Sequence, residues 1–253
     1  MRIFLTLTRR ELAAFFVSVT GYVIISAVTL LIGSSFIMFI KNMGSEPFLM
    51  PVTELFFNSQ LFWIIVILVA PVITMRLFAL EKASGTFENL MTTSVSDGQV
   101  VMAKFTAALI FYMVMWLPTL VCLLIVAHFT NQASALDKGM ACGMFLGIFL
   151  SGCMFLAIGC LTSAVSRSQV AAAMMSLAIG VILLIVAYLA YAQVIPATGR
   201  WQVESVLFYF NLFKQMEDFT LGVVDTRTVI FYSSLTLFFL FLTLRVVESR
   251  RWR

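Results

Sequence analysis

Charge is what this sequence has least of. Asp, Glu, Lys and Arg make up 11% of its 253 residues, against about 25% in an ordinary soluble domain. With 62% apolar residues beside them, so few charges exclude both a water-soluble globule and a disordered chain, which needs low hydrophobicity and high charge. Histidine is nearly absent. The one present, His128, ends an apolar run with no second ligand type near it, and a zinc site needs three or four ligands, so it reads as a membrane-interface residue. The four cysteines, Cys122, Cys142, Cys153 and Cys160, lie inside apolar runs without C-x-x-C spacing. Neither a disulfide framework nor a thiolate metal site is suggested. HExxH, G-x-S-x-G and G-x-x-x-x-G-K-[ST] are all missing, and with them the usual signatures of zinc proteolysis, elbow-type hydrolysis and nucleotide binding. We assign this chain no catalytic residue, no metal and no cofactor of its own. The energy for any work it does comes from another subunit.

What is there is apolar length. A spanning helix needs about 20 mostly apolar residues at 1.5 Å rise, and six such runs occur: Val17 to Ile40, Leu55 to Met75, Ala103 to Phe129, Gly139 to Ser163, Val170 to Ala192 and Thr228 to Leu244. Backbone groups in lipid must be satisfied within the segment, so the runs are helices. Lys and Arg are retained on the cytoplasmic side. With the N-terminus inside, Arg2, Arg9, Arg10, Arg76, Lys82, Lys104, Arg167, Arg245, Arg250, Arg251 and Arg253 fall there, and only Lys41, Lys138, Arg200, Lys214 and Arg227 fall outside. Both termini are therefore expected in the cytoplasm. The net charge of +4 is then mainly a topology signal, with no reason to infer nucleic-acid binding. The first run exceeds the 7 to 15 residues of a signal h-region and lacks an obvious cleavage site, so it reads as a retained anchor.

No Asp, Glu, Lys or Arg lies in the middle of a span, which argues against ion-coupled transport, pumping or voltage sensing. Small residues repeat every four positions along the fourth span (Gly139, Gly143, Gly147, Ser151) and the fifth (Ser168, Ala172, Ser176, Gly180), so helix backbones can approach closely there. Packing within one bundle and a subunit interface are the two readings. In the first span Ser18, Tyr22, Ser26, Thr29 and Gly33 form one polar stripe on a helical wheel. It suits helix packing or a pathway, and Ser and Thr can also bond their own backbone.

Residues 1–16 are expected to form an interfacial helix. Phe4, Leu5, Leu12, Phe15 and Phe16 project to one side, and Arg2, Thr6, Arg9 and Arg10 to the other, toward lipid phosphates or a partner. A plain positive-inside flank is the alternative. The loop of residues 76–98 is long for a hairpin. Ser96 and Gln99 make a capping box with Val95 and Val100 as staple, so the next helix should begin near Asp97. Thr86 to Thr92 suffices for about two helical turns, with Phe87, Leu90 and Met91 on an apolar side that a soluble partner could grip.

The pattern E-x-x-x-G-T-x-E-x-L, standing as Glu81, Gly85, Thr86, Glu88 and Leu90 and followed by Val95, Ser96, Asp97 and Lys104, resembles the signature of ABC-2 type transporter permeases. Its place between spans two and three of six strengthens the match. Phe15 to Ser26, Met75-Arg76 and Asn211 to Leu242 resemble the permease of gliding-motility-associated ABC transporters. Ser94 departs from the family, which often has Pro there. The resemblance covers essentially the whole chain, residues 1–253, as one transmembrane domain.

That resemblance implies an all-α integral membrane permease subunit in a bacterial cytoplasmic membrane, with six transmembrane helices. It would pair with a second copy or a homologous permease and dock on an ABC ATPase dimer, which binds ATP and Mg. Glu81, Gly85, Thr86, Phe87, Glu88 and Leu90 would form the ATPase-coupling element, and Arg167, in the short loop from Ala164 to Ser168, a second one. Glu81 has a local alternative, an ion pair with Arg76 or Lys82. The external segment of residues 193–227 is amphipathic, and short external helices before the last span suit the family; Gly222 fits a helix stop and Asp225 an N-cap. Its aromatics Trp201, Phe208, Tyr209, Phe210, Phe213 and Phe219 read mostly as anchors among the lipid headgroups. The rival reading is a mechanical or scaffold subunit that passes ATP-driven motion to a partner with an external domain.

Overall fold

A computed structural model describes residues 2–42, 60–85, 96–130, 138–192 and 210–249. Among these residues every regular element is a helix: α1 (Arg2–Val17), α2 (Val19–Asn42), α3 (Gln60–Thr74), α4 (Ala79–Ala83), α5 (Asp97–Met115), α6 (Leu117–Thr130), α7 (Lys138–Val165), α8 (Gln169–Tyr191), α9 (Leu212–Thr220) and α10 (Thr226–Ser249). Six helical stretches are long and apolar enough to cross a membrane: Val19–Met38, Leu61–Ala83, Asp97–Ile125, Gly139–Val165, Gln169–Tyr191 and Thr226–Ser249. They coincide with the six apolar runs of the sequence. Their ends shift because a helix continues past its apolar stretch wherever its backbone is already hydrogen-bonded. Thus α10 runs on to Ser249, with Arg245 and Glu248 paired at 2.9 Å on its last turn.

Two long helical stretches are interrupted at their bends. The backbone bends at Ser18, where Gly21 donates to the Ser18 carbonyl at 3.0 Å, so α1 and α2 are separate helices. The third span divides at Trp116, two residues before Pro118, whose ring removes a helical N–H and crowds the preceding turn. The N-terminus of α5 lies where the capping box puts it, and the Ser96 carbonyl accepts from Gln99 and Val100 at 2.9 and 3.2 Å. The expected side-chain cap does not form; Ser96 starts the helix through its extended backbone alone.

The most buried span is α7, with 78% of its apolar window inside the bundle, against 22% for α8 and α10 and 28% for α2. Its glycines explain how neighbours approach it. A Cβ on Gly152 would overlap the Tyr112 ring of α5, and one on Gly159 the Thr74 side chain of α3. A Cβ on Gly143 would overlap the Phe219 carbonyl of α9, and one on Gly147 would lie 2.8 Å from Met216 Sδ. The stripe of the fourth span therefore packs within the bundle, and its partner at this end is the short helix α9. In the fifth span Ala172, Ser176 and Gly180 are likewise buried, and Gly180 faces Phe155 and Ile67.

Polarity runs opposite to that of a soluble helix. The buried stripe of α10 is Thr228, Tyr232, Thr236, Leu240, Thr243 and Val247, whereas Ile230, Leu237, Phe238 and Phe241 are exposed. Thr236 and Thr243 donate to their own helix at 2.7 Å, which satisfies the hydroxyls without water. An apolar exterior around a hydroxyl-bearing interior is the arrangement of a protein whose solvent is lipid.

The segment before the last span contributes α9. Asn211 Oδ1 accepts from Lys214 N at 3.1 Å to open the helix. Gly222 closes it at φ +77°, a left-handed conformation that favours glycine, and Asp225 Oδ1 accepts from Arg227 N at 2.9 Å to start α10. Both assigned boundary residues act as expected. The anchoring of its aromatics needs correction. Phe219 is buried against α7, and Phe213 lies between Trp63, Tyr188 and Tyr191 at ring separations of 4.9, 6.5 and 5.7 Å. The apolar face of α9 meets the bundle's own glycines and rings, so these aromatics hold protein to protein. Phe210 packs on Phe231 at 5.4 Å, and Trp201, Phe208 and Tyr209 lie outside the described residues.

Two predictions follow from this packing. Gly143→Leu should cost about 1–3 kcal/mol by overpacking, read as a melting temperature in detergent lowered by several degrees. Partial burial raises the Asp218 carboxyl above its ordinary 3.8; Lys214 opposes the shift and Asp225 adds to it. A raised folded-state pKa favours the protonated form, so the carboxylate weakens the fold at neutral pH and the penalty fades as pH falls. Asp218→Asn should therefore melt higher than the parent at pH 7, the gap closing as pH approaches 3.8.

Candidate functional site

The charged residues that the sequence scatters over four segments meet at one end of the bundle. Lys104, on the second turn of α5, is only 3% exposed; its Nζ lies 2.7 Å from Glu81 Oε1 and 3.3 Å from Glu11 Oε1. Arg10 reaches the same two carboxylates at 3.2 and 3.7 Å. The Phe78 ring lies 5.5 Å from the Lys104 ammonium. An ammonium taken this far from water needs charged partners and hydrogen bonds to offset its lost hydration, and two carboxylates from two different helices provide them.

Glu81 pairs with Lys104 and Arg10. Arg76 Nη1 donates to Ser18 Oγ at 3.2 Å and Thr20 Oγ1 at 2.6 Å, and Lys82 Nζ donates to the Ala164 carbonyl. The reason is directional: a single turn of helix points successive side chains different ways. Glu81 faces α5 and α1, while Lys82 faces the C-terminal carbonyls of α7, which attract a cation. At the start of that turn, Phe78 and Ala79 both donate backbone N–H groups to Ser163 Oγ at 3.1 Å. These are orphan donors of a helix start, satisfied by a side chain of α7. Gly85 ends the segment at φ +73°, where a residue with a Cβ would cost about 1–2 kcal/mol.

The expected N-terminal helix is present as α1, and most of its expected apolar face is turned inward: Leu12, Phe15 and Phe16 pack against the core and Phe4 is half-buried, with Leu5 the exception. Thr8 is buried, its hydroxyl 3.5 Å from that of Thr106, and Phe15 stacks on Phe111 at 5.0 Å. Leu5 is 64% exposed. The docking face adds Thr8 and Glu11 to Phe4, Leu12, Phe15 and Phe16, because α1 lies along α5 and Lys104 draws Glu11 inward. Arg9 and Arg10 stay exposed. In the polar stripe, Ser18 serves Arg76 and Ser26 donates to its own helix at 3.0 Å. Tyr22, Ser26 and Thr29 face outward along a shallow groove with Val19, Val23 and Leu30, and a Cβ on Gly33 would touch nothing.

Arg167 is exposed in the short link between α7 and α8, three residues beyond the carbonyl that holds Lys82. Thr86, Phe87, Glu88 and Leu90 lie outside the described residues. Sequence reasoning missed Glu11 and Ser163 as site members, and named Lys104 only within the family signature and Lys82 only as an alternative partner of Glu81. Lys104 offers the one available signal, a lone cation two turns inside an otherwise apolar span. Among the described residues no group of His, Cys, Asp and Glu could hold a metal ion.

Helix number, apolar exterior and clustered charges define a multi-pass, all-α membrane protein. The sequence matches the family described as ABC-2 family transporter protein over residues 17–247. The chain belongs to that family and is the membrane permease component of an ABC transporter. No curated protein matches the sequence.

The cluster predicts a superadditive penalty. Glu11→Gln or Glu81→Gln alone leaves Lys104 one carboxylate and should cost about 1 kcal/mol. The double variant strands a buried ammonium and should cost about 3–5 kcal/mol. Adding Lys104→Met should recover most of that loss in thermal melts; simple additivity would show that Lys104 is not shared.

Proposed function

We propose that this chain is the permease half of an ATP-driven ABC-2 exporter in a bacterial cytoplasmic membrane, with both termini inside, and that it couples to a separate ATPase dimer which binds ATP and Mg. The observation that carries the reading is the linkage of α4. A five-residue turn directly before the family's coupling segment is tied by Glu81 to α1 and α5 and by Lys82 and Ser163 to α7. A push delivered there reaches the interfacial helix, the third span and the most buried span together. The coupling element comprises Glu81, Gly85, Thr86, Phe87, Glu88 and Leu90, and Arg167 belongs to a second, smaller one; Glu81 acts by positioning, because its carboxylate faces Lys104.

Two permeases, identical or homologous, would enclose the path. The outward-facing Tyr22, Ser26 and Thr29 form the surface for that pairing or for the path itself. An uncharged interior suits an amphipathic or lipid-linked substrate, and the gliding-type resemblance supports that subgroup. The mechanical alternative draws support from α9, which grips the same helix that holds α4 at the far end. Motion of α7 would then reach an external partner.

Gentle extraction from the host membrane should co-purify a stoichiometric ATPase. Arg167→Glu, an exposed change with little effect on melting (about 0.5 kcal/mol or less), should uncouple hydrolysis from cargo movement. Unchanged coupling would remove Arg167 from the contact, absence of any ATPase would remove the exporter reading, and hydrolysis without transport of any cargo would favour the mechanical one.

A further inference from the structure

A cleft of about 420 Å³ opens between α1, α2, α3 and α4, within the range of small-molecule sites. Its charges are unevenly matched. Lys104 and Arg10 are engaged by Glu11 and Glu81. Arg76, in the turn after α3, pairs with no carboxylate among the described residues; it holds only the hydroxyls of Ser18 and Thr20. Its Nε–H is buried and has no acceptor among them. A guanidinium with a desolvated, unsatisfied N–H costs free energy, and its fork geometry matches the oxygens of a phosphate.

The rest of the lining is apolar. Val23, Ile24 and Val72 extend the cleft along α2 and α3, and Val23 and Val72 are exposed on the outer surface of those spans, where lipid chains run. A soluble anion would leave these walls wet, and a neutral lipid would leave Arg76 unanswered. An anionic head joined to an acyl chain satisfies both.

We propose that this cleft binds one anionic phospholipid, its phosphate held by Arg76 with Ser18 and Thr20 and its chain along Val23, Ile24 and Val72. Bound there, the lipid bridges the α1–α2 bend and the turn leading to α4, so headgroup charge stabilises the arrangement that positions Glu81. The inference rests on the membrane reading of the fold and is independent of cargo.

Native mass spectrometry tests it on the full chain, purified with any ATPase that accompanies it and supplied with phosphatidylglycerol or phosphatidylcholine of matched chains. Phosphatidylglycerol should be retained about tenfold more than phosphatidylcholine, and Arg76→Gln should abolish that preference, as loss of charge-assisted hydrogen bonds implies. Thr20→Val, at an exposed position, should weaken retention several-fold and serves if Arg76→Gln does not fold. Lys41→Gln, an exposed cation at the other end of α2, should change nothing. Equal retention of both lipids, or equal loss with Lys41→Gln, would overturn the site. Displacement of the lipid by millimolar inorganic phosphate would overturn the acyl half of the proposal. Lipid retention reads out separately from hydrolysis, so its failure and that of the exporter reading are distinguishable.

Discussion

Close approach to α7 requires side chains that are not there. Gly143, Gly147, Gly152 and Gly159 sit where α9, α5 and α3 press against the helix. In lipid there is little hydrophobic drive between helices, so dispersion contacts at short range and hydrogen bonds hold the bundle. Those contacts fall off steeply with separation, and one methyl group at any of these positions would hold a neighbour away. The most buried span is thus the one with the least side chain at its contacts. It also places Ser163 and Ala164 at its far end, where α4 is fastened.

The second constraint is the ammonium of Lys104. An apolar residue would be easier to bury, and replacing a buried ion pair with well-packed apolar groups often leaves stability unchanged or improves it. Stability alone therefore does not account for the cluster. Its directionality does something apolar packing cannot: Glu11 comes from α1, Glu81 from α4 and Lys104 from α5, and the three must keep register to avoid stranding a charge. The result is a joint that resists sliding at the end of the bundle where α4 is held.

Much of this was legible in the chain. Span number and position follow from run length, because a bilayer of fixed thickness imposes its dimension on the sequence. Gly222 and Asp225 announced their boundaries because left-handed geometry and N-capping each need particular residue types. The docking of α1 was obscured because two of its inward positions, Thr8 and Glu11, are polar and join partners about a hundred residues away. Lys104 read as a flanking cation because its place two turns inside an apolar span is only a weak signal, a long side chain there being able to reach the interface as well. The glycine stripe was visible, but not its occupant. Close approach is written in the helix that permits it, whereas α9 looks like any amphipathic external segment.

The two ends of the bundle are linked through α7 in opposite ways. At one end α9 rests on glycines of α7 by close fit, a contact that leaves little room for added volume. At the other, α4 is fixed by hydrogen bonds and ion pairs that specify direction and register. A rigid helix with a shape-matched contact at one end and a charge-matched joint at the other transmits displacement, because neither contact can yield without overlap or a stranded charge. That mechanical property follows from packing and electrostatics, and it holds whether the displacement moves a cargo or a partner.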